Sequence, residues 1–182
     1  MDISSTKALF LDRDGVINHD YGYVSQKKDF DFIDGIFQLA RSATDKGYLI
    51  CVITNQAGIG RGYYSVEDFQ SLTDWMCGQF KENKSEITKV YYSPYHPIYG
   101  IGQYKKDDFS RKPNPGMLLQ AQRELGIDLS KSIFIGDKLT DMDAGIAAGI
   151  GKNILLTADD ELACKEKNYF CVPTLKHSEI YF

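Results

Sequence analysis

Four short segments hold residues whose types and spacing could do chemistry together. Asp12-Arg13-Asp14-Gly15 offers two carboxylates two residues apart, and Thr54-Asn55 a hydroxyl and a carboxamide. Arg111-Lys112-Pro113 offers two cations, and Gly136-Asp137 another carboxylate, with Asp141 four residues on. This combination suits phosphoryl transfer. A carboxylate nucleophile splits hydrolysis of a phosphate ester into two displacements. A second carboxyl can protonate the leaving oxygen and then take a proton from the attacking water. The nucleophile and a phosphate dianion repel each other, so a divalent cation must screen them. Mg2+ takes octahedral oxygen ligands, one or two of them carboxylates. Asp12 and Asp137 are the candidate ligands, and Asp14, next to a glycine that permits a sharp turn, is the candidate acid/base. Thr54, Asn55 and Lys112 can hold the phosphoryl oxygens as charge redistributes.

Each segment alone has a plainer reading. An aspartate at a strand end more often caps a helix or forms a turn, and an Arg-Lys pair is usually solvated. Asp-x-Asp-Gly also opens calcium loops, but these need Glu at the twelfth position, which counted from Asp12 is Tyr23. The site reading rests on the segments occurring jointly, each at a strand end or just before a helix.

The elements that would position them follow from periodicity. Apolar runs at Ala8–Asp12, Tyr48–Thr54, Lys89–Tyr92, Ser132–Asp137 and Lys152–Thr157 read as buried parallel strands, with Tyr169–Val172 as a possible edge. Helical patterns separate them: Gly35–Lys46; Ser65–Lys81, with Ser65 and Asp68 spaced as a capping box; Pro115–Leu125, after an Asn114 cap; and Thr140–Ala148, with Thr140 and Asp143 at the same spacing. This alternation predicts a doubly wound, Rossmann-like α/β fold with helices on both faces of a parallel sheet, in which ligands bind outside the carboxyl ends of the strands. Two long aromatic-rich stretches, Asn18–Asp34 and Ser93–Asn114, are expected to be ordered functional loops.

The quoted segments, LDRDG, ITNQ, RKP and GDKLTD, resemble the four motifs of the haloacid dehalogenase (HAD) superfamily of phosphohydrolases, over about Ala8 to Thr157. DRDGVIN, DYGYV, FIDG, ITNQAGIGRGYY, RKPNPGML and GDKLTDMDA are similar to its capless heptose bisphosphate phosphatases, a group akin to the histidinol-phosphate phosphatases. The resemblance implies Asp12 as nucleophile and Asp14 as general acid/base. Mg2+ would be held by Asp12, the Asp14 backbone carbonyl and Asp137, and the phosphoryl group by Thr54 and Lys112. It implies substrate contacts from Arg13, from Asp20, Tyr21, Gly22 and Tyr23, from Asn55, Gln56 and Ala57, and from Arg111 and Lys138. Ala57 stands where a serine is common. The implied activity is removal of the C7 phosphate from a heptose bisphosphate, serving surface-polysaccharide synthesis, with histidinol phosphate or another small phosphomonoester as the alternative.

One departure is large. The family carries a zinc loop of the form Cys-x-His-x-Pro followed by Cys-x-Cys before the Arg-Lys pair. The matching positions here are Ser93, Tyr95, Asp108 and Ser110. Zinc sites need about four N or S ligands, so no zinc is expected. Packing by Tyr91, Tyr92, Tyr95, Tyr99 and Tyr104 is a candidate substitute.

Composition sets the outer bounds. The 182 residues suit one hydrolase domain, 1–182, with little room for a second. The net charge of −4 lacks the basic field of a nucleic-acid binder. No apolar run reaches the roughly 18–20 residues of a membrane span, and the polar start has no signal-peptide pattern. A cytoplasmic monomer acting on a small sugar phosphate, with no nucleic-acid or membrane partner, is expected. None of the four cysteines has metal-ligand spacing, and disulfides are not expected.

Overall fold

The computed structural model describes residues 6–158 and 168–182. Six strands form one sheet: β1 (Lys7–Leu11), β2 (Tyr48–Asn55), β3 (Ile87–Ser93), β4 (Ile133–Gly136), β5 (Lys152–Leu156) and β6 (Phe170–Val172). Their order is β3-β2-β1-β4-β5-β6, with every neighbouring pair parallel. The chain winds outward from β1 in one direction, then returns to place β4 on the other side. The switch point therefore lies between β1 and β4, where doubly wound sheets bind ligands.

Successive residues of β1 divide between two cores. Leu9 and Leu11 join Ile36, Leu39, Leu72, Met76 and Phe80 on one face. Ala8 and Phe10 join Met117, Leu118, Ala121 and Ala144 on the other. A strand with both faces covered has no polar side to alternate with, which is why it reads as a continuous apolar run.

The helices are α1 (Ile36–Asp45), α2 (Ala57–Gly60), α3 (Val66–Glu82), α4 (Gly116–Leu125), α5 (Leu139–Ala148) and α6 (Leu175–Ser178). The expected capping box opens α3: Ser65 Oγ accepts from Asp68 N at 3.0 Å, and Asp68 Oδ2 accepts from Ser65 N at 2.9 Å. Two expected caps are corrected. Pro115, not Asn114, precedes α4, because the Asn114 carboxamide turns back to donate to the Asp108 carbonyl at 3.4 Å. Lys138 precedes α5, and the groups capped there are the backbone N–H of Asp137 and Lys138, which donate to Asp141 Oδ2 at 3.2 and 3.0 Å. Thr140 therefore lies inside the first turn.

Both long loops are tied down. In 18–34, His19 N donates to Asp31 O at 2.9 Å, and Val24 and Phe30 are buried. In 93–114, Ile101 N donates to Gly60 O at 2.8 Å and His96 N to Tyr104 O at 3.1 Å. Cys51 and Cys77 are free thiols, but Cys171 is disulfide-bonded, against expectation. Pairing follows proximity in space, which cysteine spacing along the chain does not reveal.

Candidate active site

The site is built where β1, β2 and β4 end. Asp12 follows β1 and is 5% exposed. Its Oδ1 accepts from Arg13 N at 2.8 Å and lies 2.9 Å from Lys112 Nζ. The same ammonium is 2.6 Å from Asp141 Oδ1 and donates to the Ile53 carbonyl at 2.9 Å. Lys112 is held in place by Asn55: its N–H donates to Asn55 Oδ1 at 3.1 Å, and Asn55 Nδ2 donates to its carbonyl at 3.0 Å.

Asp12, Asp137 and Asp141 gather around one point, offering oxygen atoms that all lie within 4.8 Å of one another. Close approach of the chains permits this. A Cβ at Gly15 would stand 2.1 Å from Asp137 Oδ2, and one at Gly136 would stand 2.3 Å from the Asp141 Cβ. The carboxylates are under-neutralised. Burial, together with the charge of Asp141, pushes Asp12 up to about 8 despite Lys112. Burial pushes Asp137 up to about 6, with Asp141 adding to the effect and Lys138 opposing it. Burial alone would lower Lys112, but Asp12 and Asp141 outweigh it and raise it. Asp137 Oδ1 is buried with no hydrogen-bond partner among the described residues. An all-oxygen cluster with a buried unpaired oxygen fits a hard divalent cation such as Mg2+.

Asp14 stands outside that cluster. Its carboxylate accepts from Arg13 Nη2 at 2.9 Å, from Asn18 Nδ2 at 3.0 Å and from Gln56 Nε2 at 3.1 Å. Gln56 Nε2 also reaches Thr54 Oγ1 at 2.8 Å, and Tyr64 OH donates to Gln56 Oε1 at 2.6 Å. Tyr64 gets there by lying across Gly58, where a Cβ would meet its ring at 2.2 Å.

A cavity of about 370 Å³ opens above these groups, within the usual size of small-molecule sites. Of the sequence candidates, Asp12, Asp14, Asp20, Gly22, Tyr23, Asn55, Gln56, Ala57, Arg111, Lys112 and Lys138 line it. Four others do not. Thr54 is buried beneath, held by Gln56, and Asp137 sits among the clustered carboxylates. Arg13 is 2% exposed and points inward, to Asp14 and to the Val24 carbonyl, at a bend whose carbonyl accepts from the N–H of Val16, Ile17 and Asn18. The Tyr21 hydroxyl is engaged by Asp31 at 3.0 Å. Lys138 bridges the rim to Asp20 at 2.9 Å. Burial would raise Asp20, but the hydrogen bonds from Lys138 and Gly22 hold it below the usual range.

Tyr64 and Thr140 also line the cavity and were not among the candidates; Asp141, noted in the sequence but given no role there, lines it too. Asp141 had a visible signal, its place four residues after Asp137, one helical turn away. Three of the four positions matched to the zinc loop, Ser93, Asp108 and Ser110, form a polar network. Ser110 Oγ lies 3.0 Å from Ser93 Oγ and 2.6 Å from Asp108 Oδ1, and Lys106 pairs with Asp108 at 2.7 Å.

A doubly wound parallel sheet with aspartates after β1 and β4, a hydroxyl on β2 and a lysine between them is the arrangement of a HAD-like hydrolase. The family model described as HAD-hydrolase-like matches residues 109–176. The chain is 54% identical over 154 residues to the D-glycero-alpha-D-manno-heptose-1,7-bisphosphate 7-phosphatase of Burkholderia mallei, covering 85% of this chain and 82% of that one. It is 39% identical over 164 residues to the D-glycero-beta-D-manno-heptose-1,7-bisphosphate 7-phosphatase of Escherichia coli K12, covering 90% and 86%. The chain belongs to this family of heptose-bisphosphate 7-phosphatases. Its fold is that of the D,D-heptose 1,7-bisphosphate phosphatase of B. bronchiseptica, a structure in complex with magnesium and phosphate, at a TM-score of 0.81 and 23% identity over 97% of both chains.

Proposed function

We propose that this chain removes the C7 phosphate from D-glycero-D-manno-heptose 1,7-bisphosphate through an aspartyl-phosphate on Asp12. The observation that carries the mechanism is the placement of Asp12 on the buried cavity floor, with Lys112 Nζ 2.9 Å from one of its oxygens. The substrate is taken from the relatives' activity, and both anomers at C1 occur in their names.

Asp12 Oδ1 is held by the Arg13 N–H and by Lys112, which leaves Oδ2 to attack phosphorus. As the ester P–O bond breaks, Asp14 gives its proton to the leaving oxygen; it then takes one from the water that attacks the phosphoenzyme. Arg13, Asn18 and Gln56 fix the direction of the Asp14 carboxyl. Lys112 and Thr54 stabilise charge on the transferring group. Asp12, Asp137 and the Asp14 carbonyl would hold Mg2+, with Asp141 completing the acidic surroundings. When bound, the cation ionises the carboxylates and screens them from the phosphate. Asp20, Gly22, Tyr23, Asn55, Ala57, Arg111 and Lys138 contact the sugar and its far end. This reading takes the chain as one domain, acting as a cytoplasmic monomer in supply of surface polysaccharide. No helix among the described residues is long and apolar enough to cross a membrane.

The test is a substrate panel with both anomers of the bisphosphate, histidinol phosphate and p-nitrophenyl phosphate, run on wild type and on Asp12→Asn. The bisphosphate is expected to give the highest kcat/KM, and Asp12→Asn to form no phosphoenzyme. Preference for histidinol phosphate would overturn the substrate; phosphoenzyme in the variant would overturn the nucleophile.

A further inference from the structure

The mechanism above uses Gln56 to hold Asp14 and gives no task to the group that holds Gln56. Gln56 is 1% exposed, and its backbone is pinned: its N–H donates to Ser93 O at 2.7 Å, and its carbonyl accepts from Ile59 N at 3.1 Å. Its side chain ends in an amide whose two ends have nearly one shape and opposite chemistry. Nε2 donates to Asp14 Oδ2 at 3.1 Å and to Thr54 Oγ1 at 2.8 Å. The other end, Oε1, accepts from the Tyr64 hydroxyl at 2.6 Å.

That second contact bears on where the Asp14 proton can go. Arg13 Nε and Nη2, Asn18 Nδ2 and Gln56 Nε2 all donate to the Asp14 carboxyl. Among the described residues, none of these partners accepts from it. Oε1 is the nearby acceptor that a half-turn of the amide would bring to Asp14. Leaving a buried acceptor unpaired is costly. Without Tyr64, Oε1 would regain a partner by turning to the protonated Asp14 and tying up its proton. With Tyr64 in place, Oε1 is already satisfied. The ring reaches this position across Gly58, in a turn closed by Tyr63 N donating to Gly58 O at 2.9 Å. Burial pushes the Tyr64 hydroxyl up to about 12, against Arg13 and with Asp14, so it keeps the proton it donates.

We propose that Tyr64 is a positioning residue of the reaction: by giving Gln56 Oε1 its donor, it keeps the amide N–H pair on Asp14 and the Asp14 proton free for the leaving oxygen. This rests on the reading of Asp14 as the acid. In that step the bond from Asp12 to phosphorus forms and the ester P–O bond breaks. Its electron pair stays on the leaving oxygen, which takes the Asp14 proton. A sugar alkoxide needs that proton, whereas p-nitrophenolate leaves without it.

The experiment measures single-turnover rates of phosphoenzyme formation at saturating substrate, with heptose 1,7-bisphosphate and p-nitrophenyl phosphate. It compares wild type, Tyr64→Phe, Gly58→Ala and Asp14→Asn, with melting temperatures as a control. Tyr64→Phe keeps the ring and removes only the hydroxyl. It should lower the ratio of the bisphosphate rate to the aryl phosphate rate about tenfold, a part of the roughly hundredfold to ten-thousandfold that a positioned acid supplies. A loss through Thr54 falls on both substrates and cancels in the ratio. Gly58→Ala puts a Cβ 2.2 Å from the ring, swings the hydroxyl aside and should lower the ratio likewise. Tyr64→Phe decides where it folds, and Gly58→Ala where it does not. An unchanged ratio in the deciding variant, with Asp14→Asn lowering it, overturns the role of Tyr64 and leaves the acid in place. A loss confined to KM, with the rate at saturation kept, means that the hydroxyl binds the sugar, and overturns it too. If Asp14→Asn leaves the ratio unchanged, the reading of Asp14 as the acid falls and the inference with it.

Discussion

The Asn55 side chain and the Lys112 backbone exchange two hydrogen bonds, of 3.0 and 3.1 Å, as two paired strands would. One carboxamide thereby ties the end of β2 to the segment that delivers the ammonium to Asp12. Asn55→Ala leaves both Lys112 backbone groups without these partners. The expected outcome is a loss of about 1–3 kcal/mol in stability and a lower kcat, because Lys112 is no longer held. Chemical denaturation and single-turnover kinetics would check this; full kcat in the variant would separate Asn55 from the positioning of Lys112.

Asp141 shares Lys112 with Asp12 and approaches Asp137. Asp141→Asn should weaken Mg2+ binding and lower kcat by about tenfold to a hundredfold, the usual scale for groups that support metal ligands. Calorimetric titration with Mg2+ gives the first quantity directly. Unchanged affinity would mean that Asp141 serves only to position Lys112.

Gly15 is fixed by space and by conformation. Its φ is +95°, and an added Cβ would fall 2.1 Å from Asp137 Oδ2. Gly15→Ala should displace Asp137 and abolish Mg2+-dependent turnover even where the variant stays folded. Circular dichroism and activity measured on one preparation test this, and near wild-type activity would refute the crowding.

The raised carboxylates make metal-free stability depend on pH. Asp12 and Asp137 move up from 3.8, to about 8 and about 6. Between 3.8 and those values the folded state binds more protons than the unfolded state. Their contribution is therefore fully present below 3.8 and is lost as pH rises through about 6 and then about 8. Mg2+ should reverse that loss, since it binds the ionised folded site and competes with protons. The rise in Tm on adding Mg2+ should be larger at pH 8 than at pH 5. An equal rise at both would show that these carboxylates are not the ones titrating.

The polar network at Ser93, Asp108 and Ser110 should hold its loop without zinc. Ser110→Ala removes the hydroxyl that joins the other two and should cost about 1 kcal/mol. Elemental analysis should find less than one-tenth of an equivalent of zinc, on the order expected where N and S ligands are missing. Near-stoichiometric zinc surviving dialysis would contradict this.

The sheet was legible in the sequence because strands buried on both faces read as unbroken apolar runs, and the site because its carboxylates sit at the ends of those runs. Three things were not. Arg13 stands between Asp12 and Asp14, where a substrate contact is expected, but the bend after β1 turns it inward, to Asp14 and the Val24 carbonyl. Asp141 joins Asp12 and Asp137 only once the first turn of α5 folds over Gly136. The Tyr64 hydroxyl reaches Gln56 only because the turn lays its ring over Gly58. In each case the deciding fact is a direction or a close approach, which residue types and spacing do not specify.

The serine–aspartate network also bears on how the loop should respond to oxidants. None of the four matched positions carries a sulfur atom, so peroxide finds no thiolate there. The two free thiols among the described residues are poor targets as well: burial pushes Cys51 up to about 12, and raises Cys77 too. The thiolate is the reactive form. The loop that leads into Arg111 and Lys112 should therefore keep its shape whether its surroundings are oxidising or reducing.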